Sequence, residues 1–223
     1  MNIIHATGIE GARHARGTVV VIDVLRSFTV SAYALAGGAR ECRLVKTVAE
    51  ARALAALTPG AVLCAEEDAL PVEGIAISNS PTKILQAELQ GRILIQRSTA
   101  GTQVAAAVEK GDMWAASLVV ARATVQACLL RHPDAITLLA SADHPEDHAC
   151  ARYMEAIING EEPDLENLLE RQPELLALPG QGQPVVLIVT CPHPAGQEHL
   201  GEIRIALTIG AEDDLHGALE PDG

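Results

Sequence analysis

Short apolar runs alternate with longer amphipathic stretches along most of the chain. Thr18-Val19-Val20-Val21-Ile22 is a continuous, mostly β-branched run, the pattern of a strand covered on both faces. Ser27 to Ala36 reads as a helix closed by Gly37-Gly38, where a left-handed C-cap forms at little cost. Cys42 to Val45 predicts the next strand. Thr47 with Glu50 three residues on makes a capping box for the helix that follows, which Pro59-Gly60 ends. Ala61 to Ala65 and Ile93-Leu94-Ile95 predict strands, separated by a helix from Pro81 to Leu89 opened by Asn79-Ser80. A small-residue helix from Gly101 to Lys110, a strand from Met113 to Ala115, a helix from Leu118 to Leu130 and a strand from Ala135 to Ala140 follow. From Glu146 to Ile158, the residues Ala149, Cys150, Tyr153, Met154, Ile157 and Ile158 share one helical face.

Strands separated by helices of ordinary length imply an α/β fold with a mostly parallel sheet covered on both faces. Val185 to Thr190 and Ile203 to Thr208 read as two final strands with no clear helix between them. An antiparallel pairing there would make the sheet mixed. Gly160 to Gln183 is charged and proline-punctuated, the composition of a helix flanked by loops, and the tail after Asp213 is polar. No internal repeat or linker divides the chain, so residues 1–223 are expected to form one α/β domain.

Composition narrows the function. A formal net charge of −13 argues against nucleic acid or an anionic membrane as partner, since both need a basic footprint. Aromatics make up 2% of the chain, which leaves an aliphatic core and little means of holding a ligand by stacking. No apolar run reaches membrane-spanning length and no secretory signal pattern opens the chain, so a cytoplasmic protein is expected. The cysteines, Cys42, Cys64, Cys128, Cys150 and Cys191, are scattered without a CxxC, and buried reduced thiols are the expected reading. Cys191-Pro192-His193-Pro194 places a thiol near an imidazole in sequence, which does not by itself make a nucleophile and base.

The chemistry-bearing residues fall at strand ends and helix starts, where open α/β sheets bind ligands. Asp23 and Arg26 follow the first strong strand, and Glu66 follows the Ala61–Ala65 run. Asn79-Ser80-Pro81 opens a helix, Arg97-Ser98-Thr99-Ala100-Gly101-Thr102 joins a strand to its helix, and Glu146-Asp147 opens another. Each has a plainer reading. Asp23 can cap the following helix, Arg26 can pair with an acid, Ser80 is an ordinary cap before proline, and Glu146-Asp147 suits a helix dipole. Together they offer carboxylates for a hard divalent cation, and Arg, hydroxyls and amides for a phosphoryl group. The absence of GxGxxG and GxSxG sets aside a dinucleotide-dependent dehydrogenase and a serine hydrolase.

The series Val20-Val21-Ile22-Asp23-Val24-Leu25-Arg26, Glu66, Gly74, Asn79-Ser80-Pro81, Thr99-Ala100-Gly101-Thr102 and Glu146-Asp147 with Ala149-Cys150-Ala151 resembles the 2-phosphosulfolactate phosphatase family over residues 18 to 158. The resemblance implies a three-layer α/β/α fold and Mg²⁺-dependent hydrolysis of 2-phosphosulfolactate to sulfolactate and phosphate, a step towards coenzyme M. Ala100 stands where the family usually has Asn, Ala76 where it has Asp, and Val120 where a small polar Asn is expected.

On this resemblance Asp23, Glu146 and Asp147 would surround the metal. Arg26 and Arg97 would neutralise the phosphoryl oxygens, with Ser98, Thr99, Gly101 and Thr102 completing the cradle. Asn79 and Ser80 would orient substrate or metal-bound water, and Glu66, where it is not itself a ligand, would do acid–base work. Asp23 could instead attack phosphorus directly. The competing expectation is a non-catalytic sensor of an anionic phosphorylated metabolite. Exposed aliphatic helices make a homodimer an expectation as well.

Overall fold

The computed structural model describes residues 1–165 together with two later strands at 186–190 and 203–208. In chain order the elements are β1 (Asn2–Thr7), α1 (Gly8–His14), β2 (Thr18–Ile22), α2 (Ser27–Ala36), β3 (Glu41–Leu44), α3 (Val48–Leu57), β4 (Val62–Glu67), β5 (Leu70–Pro71), α4 (Pro81–Leu85), β6 (Ile93–Arg97), α5 (Gly101–Ala105), β7 (Met113–Ala116), a 3₁₀ turn at Leu118–Val120, α6 (Ala121–Leu129), β8 (Ala135–Ala140), α7 (Pro145–Ile158), β9 (Val186–Thr190) and β10 (Ile203–Thr208). The strands form one ten-stranded mixed sheet in the order β1-β8-β2-β7-β9-β10-β3-β6-β4-β5.

Most expected elements are present. Helix α2 has the expected bounds, and Thr47 and Glu50 close a reciprocal capping box on α3. Strands β9 and β10 pair antiparallel, as their lack of an intervening helix suggested. Helices α4 and α5 end sooner than their apolar patterns implied, and Leu118–Val120 winds as 3₁₀ before α6 begins. The opening pair β1 and α1 was not anticipated. Strand β1 is a half-exposed edge paired to β8 alone among the described strands, so its hydrophobic signature is weak. Gly160 to Gln183, the tail after Asp213, and Cys191 with its neighbours lie largely or wholly outside the described residues. The cysteines at 42, 64, 128 and 150 are buried and free.

Alternation along β2 divides the core. Val19 and Val21 pack with Phe28, Val30 and Leu35 of α2 and Val104 of α5, whereas Val20 and Ile22 pack with Val125 of α6 and Met154 of α7. The period-2 geometry of a strand covered on both faces produces two cores, which is the three-layer arrangement. A third cluster joins Ala51 and Leu54 of α3 to Ile93 and Ile95 of β6.

Two parallel blocks, β1-β8-β2-β7 and β3-β6-β4, run in opposite directions because the β9–β10 hairpin sits antiparallel between them. In a flat sheet the five strand spacings from β2 to β6 would span about 24 Å. Yet Ser27, just beyond β2, hydrogen-bonds Gln96 of β6. The sheet therefore twists and curls around α2, whose Ser27, Phe28, Thr29, Val30, Ser31, Ala32, Ala34 and Leu35 are all buried. This curl brings the carboxyl ends of both blocks to one place.

Candidate active site

The first part of the site is built on register. Ile22 of β2 lies level with Ala116 of β7 and Ala140 of β8, so Asp23 emerges between Ser117 and Ser141. The ladder continues one step further, with Asp23 N–H donating to Ala116 O and Ser141 N–H to Ile22 O. Asp23 Oδ1 accepts the Ser27 N–H at 2.8 Å, satisfying the first N–H of α2 although the N-cap position itself is Arg26. Helix α7 delivers Asp147 to the same place. Its Oδ1 accepts the Val24 N–H at 2.8 Å and its Oδ2 the Ser141 hydroxyl at 3.0 Å.

Both carboxylates are buried, 5% exposed at Asp23 and 1% at Asp147. Burial, reinforced by the neighbouring Asp147, pushes the Asp23 carboxyl up to about 7, against donors at Ser27, Ser141 and Gly101 that favour its charged form. Burial likewise raises Asp147, offset in part by Val24 N–H and Ser141. Neither carboxylate is in an ion pair with Lys or Arg among the described residues. Gly101 shows how tightly the pocket is closed: a Cβ there would lie 2.5 Å from Asp23 Oδ2 and 2.9 Å from Ser27 Cβ. Only glycine lets α5 approach the carboxylate.

The second part lies across the curl. Arg26 Nη2 donates to Glu66 Oε2 at 3.2 Å, and the Thr99 N–H to Glu66 Oε1 at 3.4 Å. Glu66 is buried, while the Arg26 side chain keeps 39% of its surface open. Arg97 is spent on scaffolding. It donates to Glu66 O and Lys46 O and faces Glu67 at 3.7 Å.

The loop hydroxyls are also committed. Ser98 and Thr102 exchange hydrogen bonds from backbone to hydroxyl in both directions at 3.0 Å. Thr99 Oγ1 accepts the Ala69 N–H at 3.1 Å, bracing the β4–β5 turn. Ser80 caps α4, accepting from Lys83 N–H. Asn79 is buried beside Gln96, which donates to its Oδ1 at 3.0 Å. Glu146 is half-buried next to Asp147, but no cluster of three His, Cys, Asp or Glu able to hold a metal forms among the described residues. The structure thus joins Asp23 to Asp147 and Arg26 to Glu66, and leaves Glu146 outside a three-carboxylate set.

The substituted positions have ordinary surroundings. Ala76 is exposed, its carbonyl accepting from Lys83 Nζ at 3.2 Å. Val120 packs in the core beside α2, and Ala100 precedes α5 half-buried. Ser27, Gln96 and Ser141 were not anticipated as site residues. Gln96 did carry a signal, being an amide directly after Ile93-Leu94-Ile95 in a strand whose next residue already faces the site.

The fold is that of an α/β protein with a buried acidic pair, Asp23 at the end of a parallel strand and Asp147 on α7, set beside an Arg–Glu pair. The chain matches the 2-phosphosulpholactate phosphatase family over residues 4–174 and belongs to that family. It is 37% identical to a Bacillus subtilis protein named probable 2-phosphosulfolactate phosphatase, over 63% of this chain and 64% of the relative. A Carboxydothermus hydrogenoformans protein of the same name is 34% identical over 63% of this chain and 60% of its own length. A Thermoplasma acidophilum protein, also so named, is 28% identical over 70% and 72%. The chain therefore spans less than two thirds of the first two relatives.

Proposed function

We propose that this site hydrolyses a small acidic phosphomonoester with Mg²⁺ bound, and that the substrate is 2-phosphosulfolactate, water converting it to sulfolactate and inorganic phosphate. The observation that carries the reading is the Asp23–Asp147 pair: two buried carboxylates, one pushed up to about 7, with no Lys or Arg paired to them among the described residues. Such a pair is unfavourable unless something positive joins it. The donor set fits Mg²⁺, which takes hard oxygens and is commonly held by one or two carboxylates, with substrate phosphate and water in the remaining positions. Asp23 and Asp147 would hold the ion, with Glu146 adjacent in sequence. When bound it would draw charge from a phosphoryl oxygen and acidify water.

The chain's own groups supply the rest. Ser141 fixes the Asp147 carboxylate through its Oδ2, and the Ser27 N–H fixes Asp23. Arg26, half open and oriented by Glu66, binds an anionic group of the substrate. Glu66 is the carboxylate on that side available to move a proton between water and the leaving oxygen. The test is phosphate release from 2-phosphosulfolactate and a panel of phosphorylated hydroxy acids, with Mg²⁺ and with chelator. Turnover that needs Mg²⁺ and is lost in Asp23→Ala is expected. No release from any ester with Mg²⁺ present, or undiminished turnover in Asp23→Ala, overturns the proposal.

A further inference from the structure

Strand β6 buries one amide among its aliphatic residues. Gln96 is 0% exposed, next to Leu94 and Ile95. An amide so placed is costly unless its polar atoms are matched, and here they are. Gln96 Nε2 donates to Ser27 O at 2.8 Å and to Asn79 Oδ1 at 3.0 Å, with Ser27 Oγ further off at 3.3 Å. Its Oε1 accepts the Ser31 hydroxyl at 2.6 Å. Ser27 in turn gives its N–H to Asp23. One side chain thus grips two residues that flank the site from opposite blocks of the sheet.

Asn79 is 1% exposed and sits at a φ of 51°, a left-handed conformation that Asn tolerates better than most residues. Its Oδ1 is taken by Gln96, and its Nδ2 makes no hydrogen bond among the described residues. An amide has a donor end and an acceptor end. Holding the acceptor end leaves the NH₂ group as the free one, suited to an oxygen of an anionic ligand and not to a cation. We propose that Gln96 is a positioning residue that fixes the Asn79 amide with its NH₂ presented to a phosphoryl oxygen. The proposal rests on the phosphate-ester reading above and adds a residue and a polarity to it.

The experiment is a double-mutant cycle on Gln96→Met and Asn79→Ala, read as the dissociation constant for inorganic phosphate by calorimetry with Mg²⁺ present, alongside the KM of the ester. Asn79→Ala should weaken phosphate about tenfold, the scale of one hydrogen bond to a charged group. Gln96→Met should weaken it by nearly as much, and the double variant should be no weaker than Asn79→Ala alone. Ser31→Ala, which frees Gln96 Oε1 without touching Asn79, reads the same chain of bonds if Gln96→Met does not fold, with a smaller loss of the same sign. Phosphate affinity within twofold of the unmodified protein in Gln96→Met (or in Ser31→Ala, if it is the variant read) overturns the proposal, whatever happens to the Tm. So do losses that multiply in the double variant. A protein that binds phosphate but hydrolyses no ester sinks the phosphatase reading alone. One that binds no phosphate sinks both.

Discussion

The two sides of the site treat charge in opposite ways. On the β2–β8 side, Asp23 and Asp147 are buried together and lack a Lys or Arg partner among the described residues. On the β4–β6 side, Glu66 is buried too, but Arg26 pairs with it and Arg97 is tied to nearby carbonyls and Glu67. A neutralised side is compatible with stability alone. An unneutralised, desolvated acidic pair works against it, and such a cost persists where the charge is used. On the proposed reading the Asp23–Asp147 side would hold the metal, and the Arg26–Glu66 side would orient the substrate and carry the proton.

The sharpest break in that contrast is Asp23→Ala or Asp147→Ala. Each should lower phosphate-release kcat by at least about a hundredfold, the scale of removing one preorganised electrostatic group. A loss under fivefold in both would put the chemistry elsewhere. Asp23→Asn tests the same side through stability. Below about pH 4 the Asp23 carboxyl is protonated in both folded and unfolded chains. As pH rises the unfolded chain ionises first, while the folded protein keeps the proton until about 7. Stability without metal should therefore fall across that window, by a ceiling on the order of 4 kcal/mol. Urea unfolding at several pH values should show this slope in the unmodified protein and a flatter one in Asp23→Asn. Above pH 7, Mg²⁺ should raise the Tm of the unmodified protein far more than at pH 5, and chelator should reverse the gain.

Smaller effects follow. Gly101→Ala should cost about 1–3 kcal/mol by overpacking against Asp23 and Ser27, and lower turnover by more than the stability loss accounts for. Glu66→Gln breaks the neutralised side. With Arg26 partly open to water, stability should change by about 1 kcal/mol or less, while the KM of an anionic substrate rises several-fold and kcat falls with the loss of the proton carrier. Equal effects on KM from Glu66→Gln and a charge-neutral surface control would remove the orienting role of that side.

How much of this was legible in the sequence depends on the kind of residue. Asp23 stood out because a carboxylate directly follows five residues that the strand buries completely, and Asp147 because it opens a long amphipathic helix. The three-layer fold was legible from the same alternation. Gln96 and Ser141 were not, because their roles come from register and curl, which set Gln96 against Ser27 and Ser31, and Ser141 against Ile22, across more than sixty positions of chain. The Arg97 and Ser98–Thr102 group reads as an anion cradle from composition, yet in the fold its groups bond largely to their own loop and to backbone carbonyls. Donor-rich loops look alike in sequence whether they brace themselves or await a ligand. Strand β1 escaped notice because an edge strand needs little apolar sequence.

The position of the β9–β10 hairpin has a consequence for how the chain assembles. These strands are the latest in sequence among those described, yet they lie at the centre of the sheet order. During synthesis, β7 and β3 would emerge with open edges and wait for segments more than 65 residues beyond β7. The nascent protein would hold two half-sheets, each sticky along one side, until the closing hairpin leaves the ribosome. Long-range closure of this kind folds slowly. A chain cut before residue 186 should therefore aggregate through those edges, even though it retains Asp23, Arg26, Glu66 and Asp147.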